Sequence, residues 1–219
     1  MGATILMGDS KNKINSRNLP RIIGYTLTAL IIVILLLYFM VNNKNKKIAP
    51  ETFMITGENY FDYQSGLECS AFSSAYILRH FSKEADGVEL FRDFPGKVPD
   101  GGVSPYGIET FFNERGYKAE FIINGTIEDL KEEVSKGVPV IVFIRVNQHE
   151  VYTHYVPLVG YDNEYFYFAE SLPYMTNCKE IVDVSYNRKT KISEFDELWN
   201  NIEGFWDYPY FVITEKTSE

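Results

Sequence analysis

The pattern of apolar and polar positions divides the chain into an apolar N-terminal stretch and a longer mixed region. Residues 22–41 read IIGYTLTALIIVILLLYFMV and are almost without polar side chains, whereas both flanks are polar and basic. Twenty residues at 1.5 Å per residue form a helix of roughly 30 Å, which matches the hydrocarbon layer of a bilayer. A buried core helix would carry a polar face, and a cleaved signal peptide has a shorter apolar region followed by small residues. We therefore interpret residues 22–41 as an uncleaved membrane anchor.

The segments beside this anchor suggest its orientation. Residues 1–21 form a basic tail and residues 42–51 a polar linker, with four basic residues before the anchor and three after it. Cytoplasmic flanks carry the excess of Lys and Arg. The small excess before the anchor predicts an internal N-terminus and an extracytoplasmic domain over residues 52–219.

Helical patterns dominate the first half of that domain. Apolar residues recur at helical spacing after residue 69. Two further helices are predicted, one capped by Ser104 and ended by Gly116, the other capped by Thr126 and ended by Gly137.

The second half carries strand patterns instead. Residues 138–146 form a continuous apolar run, and residues 154–161 and 165–169 read as two strands joined by a turn at Asp162. Pro157 predicts that the first of these two lies at a sheet edge or is locally irregular. The remaining predictions are strands at 117–123, 181–186 and 210–214 and a helix at 193–200. Helices followed by antiparallel strands predict an α+β domain.

Composition excludes some classes of function. The formal net charge is −9, which argues against nucleic-acid binding because that rests on clustered Lys and Arg. Two cysteines, Cys69 and Cys178, do not make a disulfide framework, and we interpret both as thiols.

Cys69 is the candidate nucleophile. It lies where the loop residues 64–66 give way to a helix, so free N–H groups and the positive end of the helix dipole stabilise a thiolate there. Gln64, upstream in the loop, is placed to donate a hydrogen bond to an oxyanion.

A cysteine nucleophile needs a base, and the chain has three histidines. His80 lies eleven residues after Cys69, about 16 Å along the same helix, which is too far for a hydrogen bond. His149 lies in a polar loop. His154 opens the hairpin, which makes it the candidate base.

The hairpin also suggests an orienting group for His154. If the turn centres on Asp162, Leu158 faces Phe166 and His154 faces Glu170. Opposite residues of an antiparallel pair have Cβ atoms about 5 Å apart. Glu170 then holds one imidazole nitrogen and leaves the other for Cys69.

A different interpretation makes the same residues a metal site. His149 and His154 would bind a metal ion together with Cys69, but neither an HExxH motif nor a paired-cysteine spacing is present. We interpret His80 and Cys178 as structural.

Gln64, Cys69 and the stretch HYVPLVGYDNEYFYFAES (154–171) resemble the papain-like cysteine peptidases of the bacteriocin-processing (double-glycine leader peptidase) type. Those enzymes share a loop glutamine, a cysteine opening a helix, and a histidine opening a strand that ends in a Gly-Tyr-Asp turn. The segments SPYGIETFFNERGYKAEF and TIEDLKEEVSKGVPVIVFI resemble the middle region of the family. Three positions depart from its pattern: Gln64 stands five residues before the cysteine instead of six, Ser70 replaces a glycine, and Glu170 replaces Asp or Asn.

The resemblance implies a papain-like fold for residues 52–219, with N-terminal helices packed on an antiparallel sheet. It also implies a bacterial cysteine peptidase that acts on a peptide or protein through Cys69, His154, Glu170 and Gln64 and needs no cofactor. Cleavage of double-glycine leaders during export is not expected, because no transporter domain follows in the sequence. Two alternatives stay open: an acyl or peptidyl transferase on the same fold, and a non-catalytic anchored module that binds peptides or envelope polymers.

Overall fold

The computed structural model describes residues 19–44, 48–149, 151–175, 186–200, 202–204 and 206–216. The chain forms two compact units, Met1–Lys47 and Ile48–Glu219. The boundary between them falls within the polar segment 42–51.

The described part of the first unit is one helix, α1 (Leu19–Lys44), which contains the predicted anchor. Its large apolar side chains from Tyr25 to Tyr38 are 49–74 % exposed. Among the described residues, no helix combines the length and the apolar character that crossing a membrane requires. The membrane anchor stays a prediction from the sequence.

The second unit is built on one antiparallel sheet. Its strands are β1 (Phe53–Met54), β2 (Tyr117–Ile122), β3 (Val140–Arg145), β4 (Thr153–Tyr161), β5 (Tyr165–Phe168), β6 (Arg188–Lys191) and β7 (Tyr210–Glu215). Their order in the sheet is β2-β7-β3-β4-β5-β6, and the short β1 pairs with β4.

Helices cover both faces of this sheet. They are α2 (Cys69–His80), α3 (Gly87–Arg92), α4 (Pro105–Glu114), α5 (Ile127–Val134) and α6 (Ile192–Trp199), with a 3₁₀ turn at Pro173–Met175. Side chains of β3 alternate between two buried clusters: Ile141 and Phe143 pack with α2 and α4, whereas Val142 and Ile144 pack with α5 and α6. Burial on both faces explains the uninterrupted apolar run of this strand. The α+β class is confirmed, with helices on both sides of the sheet.

The predicted helix ends follow local hydrogen bonding. Thr126 Oγ1 accepts from the Asp129 N–H at 3.1 Å, and Asp129 Oδ2 accepts from the Thr126 N–H at 3.0 Å, so a capping box opens α5. Ser104 lies at the predicted N-cap position of α4, but its side chain makes no capping bond, and Pro105 is the first residue of the helix. Gly116 and Gly137 follow their helices at φ +85° and +91°, where a side chain would strain the backbone.

The predicted hairpin register is wrong. Tyr161 pairs with Phe166, Gly160 with Tyr167 and Leu158 with Phe168, and the register shifts between Leu158 and Gly160. The turn centres between Asn163 and Glu164 instead of on Asp162, and the Asp162 N–H donates to the Tyr165 carbonyl across it at 2.9 Å. The Asp162 carboxylate holds this turn by accepting from the Glu164 and Tyr165 N–H groups at 2.8 and 2.7 Å.

The predicted edge position for the strand that contains Pro157 is also wrong. The other prediction, a locally irregular strand, agrees with the register shift between Leu158 and Gly160. Pro157 lies in β4 between β3 and β5, opposite Ile141. Its carbonyl accepts from the Ala169 N–H at 3.0 Å. Of the predicted strand at 181–186, residues 181–185 lie outside the described part of the chain. The sequence did not predict β1 or β6.

Candidate active site

The site begins where the loop before α2 turns into the helix. Cys69 is the first residue of α2, and Glu68 precedes it as the N-cap without a side-chain capping bond. The Glu68 carboxylate instead accepts from the Gly66 N–H at 2.7 Å, which braces the loop. Cys69 is partly exposed and packs on its inner side against the apolar cluster beneath α2. A thiol in this position is accessible and lies at the positive end of a helix.

A buried hydrogen bond fixes α2 on β4. Ser73 Oγ, one turn into the helix, donates to the Tyr155 carbonyl at 2.9 Å, and Ser73 is 1 % exposed. Tyr155 follows His154 directly, so this bond brings the start of α2 beside the start of β4.

His154 and Glu170 form a buried ion pair beside Cys69. His154 Nε2 lies 2.7 Å from Glu170 Oε1, and the two side chains are 2 % and 0 % exposed. Burial on its own lowers the pKa of His154, but the charge of Glu170 and the hydrogen bonds with Cys69 and Glu170 outweigh it and raise that pKa to about 9. Burial likewise raises the pKa of Glu170, but His154, and Arg188 after it, lower that pKa to about 2. The His154 imidazole is therefore protonated on both nitrogens at neutral pH, and it hydrogen-bonds Cys69 as well as Glu170.

The chemistry of this arrangement is that of nucleophilic catalysis. A partly exposed thiol contacts an imidazole, and a buried carboxylate fixes the other nitrogen of the ring. The family model described as "Peptidase_C39 like family" matches residues 58–205, which include all three side chains. The chain belongs to the Peptidase_C39 like family. It is therefore a cysteine peptidase.

Solved structures share the fold of this C39-like peptidase at low sequence identity. A C39-like peptidase from Bacillus anthracis is 17 % identical, covers 75 % of this chain and 98 % of its own, and has a TM-score of 0.58. The peptidase domain of Streptococcus ComA, a bifunctional ABC transporter of a quorum-sensing pathway, is 13 % identical over 73 % of this chain and 100 % of its own, with a TM-score of 0.55. No curated protein sequence matches the chain.

A third structure of similar fold contains a peptide. It is a double-glycine-motif protease from an AMS/PCAT transporter in complex with the leader peptide. It is 18 % identical, covers 78 % of this chain and 100 % of its own, and has a TM-score of 0.50.

Gln64 is hydrogen-bonded to Ser171, the residue that follows Glu170. Ser171 Oγ donates to Gln64 Oε1 at 2.6 Å, and the Gln64 backbone N–H donates to the Ser171 carbonyl at 2.9 Å. Gln64 Nε2 donates one of its two hydrogens to the Gly66 carbonyl at 2.6 Å. The loop before Cys69 is thus joined by hydrogen bonds to the segment that carries Glu170.

Glu170 lies two residues beyond the end of β5, not in the cross-strand position that the register predicted. Oε1 accepts from His154 and from the Leu172 N–H at 2.9 Å, and Oε2 accepts from Arg188 Nη1 at 2.8 Å. Asn187 Oδ1 accepts from the Glu170 N–H at 2.7 Å, and Asn187 Nδ2 donates to the Glu170 carbonyl at 2.9 Å.

Sequence reasoning missed Asn187 and Arg188. Both are buried at the start of β6, in the polar stretch NRKTK that carries no hydrophobic signal. No signal in the sequence distinguishes them, because the alternation of buried Arg188 and Thr190 with their more exposed neighbours is visible only in the fold.

The other candidate residues lie elsewhere. His80 ends α2 and packs edge-to-face on Phe81, and burial lowers its pKa. His149 is exposed in the loop before β4. Cys178 lies outside the described residues. Within the described part of the chain, no group of three or more His, Cys, Asp or Glu side chains is arranged to hold a metal ion.

Proposed function

We propose that this C39-like peptidase hydrolyses peptide bonds through Cys69, His154 and Glu170. The observation that carries the proposal is the buried 2.7 Å pair of His154 and Glu170 beside a thiol that opens a helix. The peptide-bound fold relative supports a peptide or protein as the substrate.

The proposed reaction has two halves. In the resting site the proton of Cys69 lies on His154. The thiolate attacks the carbonyl carbon, and the imidazolium gives that proton to the leaving amine. Water then attacks the thioacyl carbonyl while His154 takes its proton, which releases the acid and restores the thiolate and the imidazolium. Glu170 holds the imidazole ring by Nε2 throughout and balances its charge when it is protonated.

The test is product analysis with the full chain and a mixed peptide substrate in ¹⁸O-labelled water. A hydrolase places ¹⁸O in the new carboxyl terminus, and the Cys69→Ala variant yields no product. Products joined to an added amine would identify a transferase. No product together with an unreactive Cys69 would favour a binding module and would overturn the proposal.

We further propose Gln64 as an oxyanion donor, supported by the second hydrogen on Nε2 and by its place in the loop before Cys69. Gln64→Ala is expected to lower kcat by about 10²–10³, the usual effect of losing one such donor. Ser171→Ala is the matched control, because it removes the hydrogen bond to Gln64 Oε1 and keeps the donor. Equal losses of kcat in the two variants would mean that Gln64 acts only by bracing the loop.

We also propose that residues 22–41 anchor the chain in the cell membrane with the peptidase outside. Their apolar length and the exposed apolar side chains of α1 support this. Protease treatment of intact cells is expected to remove the peptidase domain and to leave a protected N-terminal fragment. A domain that is cut only after lysis would place it in the cytoplasm.

A further inference from the structure

Arg188 is a buried cation in contact with the carboxylate of the site. Arg188 is 5 % exposed, and Nη1 donates to Glu170 Oε2 at 2.8 Å. The other carboxylate oxygen serves His154, so Glu170 lies between two cations whenever the imidazole is protonated. A buried arginine without such a partner is rare, because the charge loses its hydration.

The backbone fixes where this guanidinium lies. Arg188 pairs with Phe168 at the end of the β5–β6 ladder, and its guanidinium carbon lies 5.7 Å from the centre of the Phe168 ring. The side-chain amide of the preceding residue, Asn187, makes two hydrogen bonds to the backbone of Glu170. One short segment therefore positions both the main chain and the carboxylate of Glu170.

The proton balance of the reaction gives this contact a purpose. Before attack the site holds a thiolate, an imidazolium, a carboxylate and a guanidinium. Once the imidazolium has given its proton to the leaving amine, His154 no longer balances Glu170. Arg188 alone then compensates the buried carboxylate. Without Arg188, the carboxylate would hold the proton on His154 more strongly.

We propose that Arg188 is a positioning residue that shares the charge of Glu170, so that His154 can release its proton during catalysis. The inference rests on the proposed function, because it assigns a role within that reaction. It predicts a direction: removing the cation makes His154 harder to deprotonate.

Among the residues that the structure describes, the following groups lie around His154 and Arg188. Cys69 faces His154 from α2, and Glu170 faces it from the segment after β5. On β3 the residue opposite His154 is the apolar Ile144. Glu203 Oε1 accepts from the hydroxyl of Thr153, next to His154, at 3.3 Å. Lys189 follows Arg188 but lies over the ring of Tyr165 at 3.8 Å, which makes it a matched control for net charge.

The experiment is an NMR titration of the histidine side chains in the full chain, held in detergent micelles, between pH 6 and 11. In Arg188→Gln and in Arg188→Met, the midpoint of His154 is expected to rise by about one pH unit relative to the unsubstituted protein. Lys189→Met is expected to leave it unchanged, and Arg188→Lys to restore most of the difference. A falling or unchanged midpoint in the Arg188 variants would overturn the proposal, since a merely structural role predicts a drift towards the ordinary value.

A second pair of variants covers the case in which both single variants fail to fold. Glu170→Gln is compared with the double variant Glu170→Gln/Arg188→Met, which removes the buried guanidinium together with its carboxylate partner. The midpoint of His154 is expected to be higher in the double variant, because the nearby cation is gone. An equal or lower midpoint would overturn the proposal.

The titration also separates this proposal from the proposed function. If His154 titrates near its ordinary value in the unsubstituted protein, the ion pair of His154 and Glu170 does not form, and the proposed peptidase mechanism is wrong. If the midpoint of His154 is raised in the unsubstituted protein but does not change in the Arg188 variants, only the role of Arg188 is disproved. With a cleavable peptide, the Arg188 variants should lower kcat at unchanged KM.

Discussion

Replacing His154 with alanine is expected to abolish peptide hydrolysis and to stop Cys69 from reacting with iodoacetamide at about pH 6. His154 is the side chain that hydrogen-bonds Cys69 and is itself held by Glu170. Without it the thiol has no base, and loss of one member of such a group costs about 10⁴-fold or more in rate. Mass spectrometry of the alkylated full chain across pH, alongside a peptide-cleavage assay, measures both effects.

Three controls accompany this measurement. His149→Ala and His80→Ala should leave the labelling profile unchanged, because one is exposed in a loop and the other ends α2. Cys178 serves as an internal reference that should label only at alkaline pH. If Cys69 and Cys178 label alike, the thiolate–imidazolium pair does not exist. If His149 controls the labelling of Cys69, the assignment of His154 as the base is wrong.

Glu170→Gln is expected to lower the free energy of unfolding by about 3–5 kcal/mol, which is typical of breaking a buried ion pair by removing one partner. The carboxylate is fully buried, and its loss leaves Arg188 without an anion and His154 without the carboxylate that its ring contacts. Chemical denaturation at pH 7 measures the difference. Glu114→Gln is the matched control, because Glu114 is exposed at the end of α4. A loss of less than about 1 kcal/mol would mean that the pair is not charged.

The same variant should change how stability depends on pH. The pKa of Glu170 is lowered from 4.5 to about 2, so its contribution is complete above about pH 4.5 and is lost as the pH falls towards 2. The pKa of His154 is raised from 6.5 to about 9, so its contribution is complete below about pH 6.5 and is lost as the pH rises towards 9. Glu170→Gln should flatten both flanks of the curve. Unchanged flanks would contradict the coupling of the two groups.

Local signals predicted the secondary structure well. The cap at Thr126, the proline at the first position of α4 and the glycines after the helices act within a few residues, so the sequence contains everything that they need. The continuous apolar run of β3 predicted that strand equally well, because both faces of the strand are buried.

The same local signals did not predict the register in which β4 pairs with β5. Two local features decide it, the bonds of the Asp162 carboxylate within the turn and the shift between Leu158 and Gly160. Neither changes the apolar pattern from which the register was predicted. Glu170 nevertheless contacts His154, because the chain after β5 brings the carboxylate back towards the start of β4.

The residues that hold the Glu170 carboxylate could not be predicted from the sequence, for a different reason. Asn187 and Arg188 are polar residues that ordinarily face solvent, and only the folded chain shows that they are buried against Glu170. The deep part of the site is set by long-range contacts, whereas the position of Cys69 is set by the helix that it opens.

The way β1 joins the sheet decides how the domain would carry a mechanical load. The chain enters at Pro50, whose carbonyl accepts from Tyr161, and then makes two residue pairs, Phe53–Tyr161 and Met54–Gly160, with the far end of β4. Tension applied upstream of Pro50 would reach these few hydrogen bonds first. Their rupture would spare the bond between Ser73 and Tyr155 that sets α2 beside β4, because that bond lies at the opposite end of the strand. We therefore expect the pairing of β1 with β4 to break under pulling before the contact between Cys69 and His154 is disturbed.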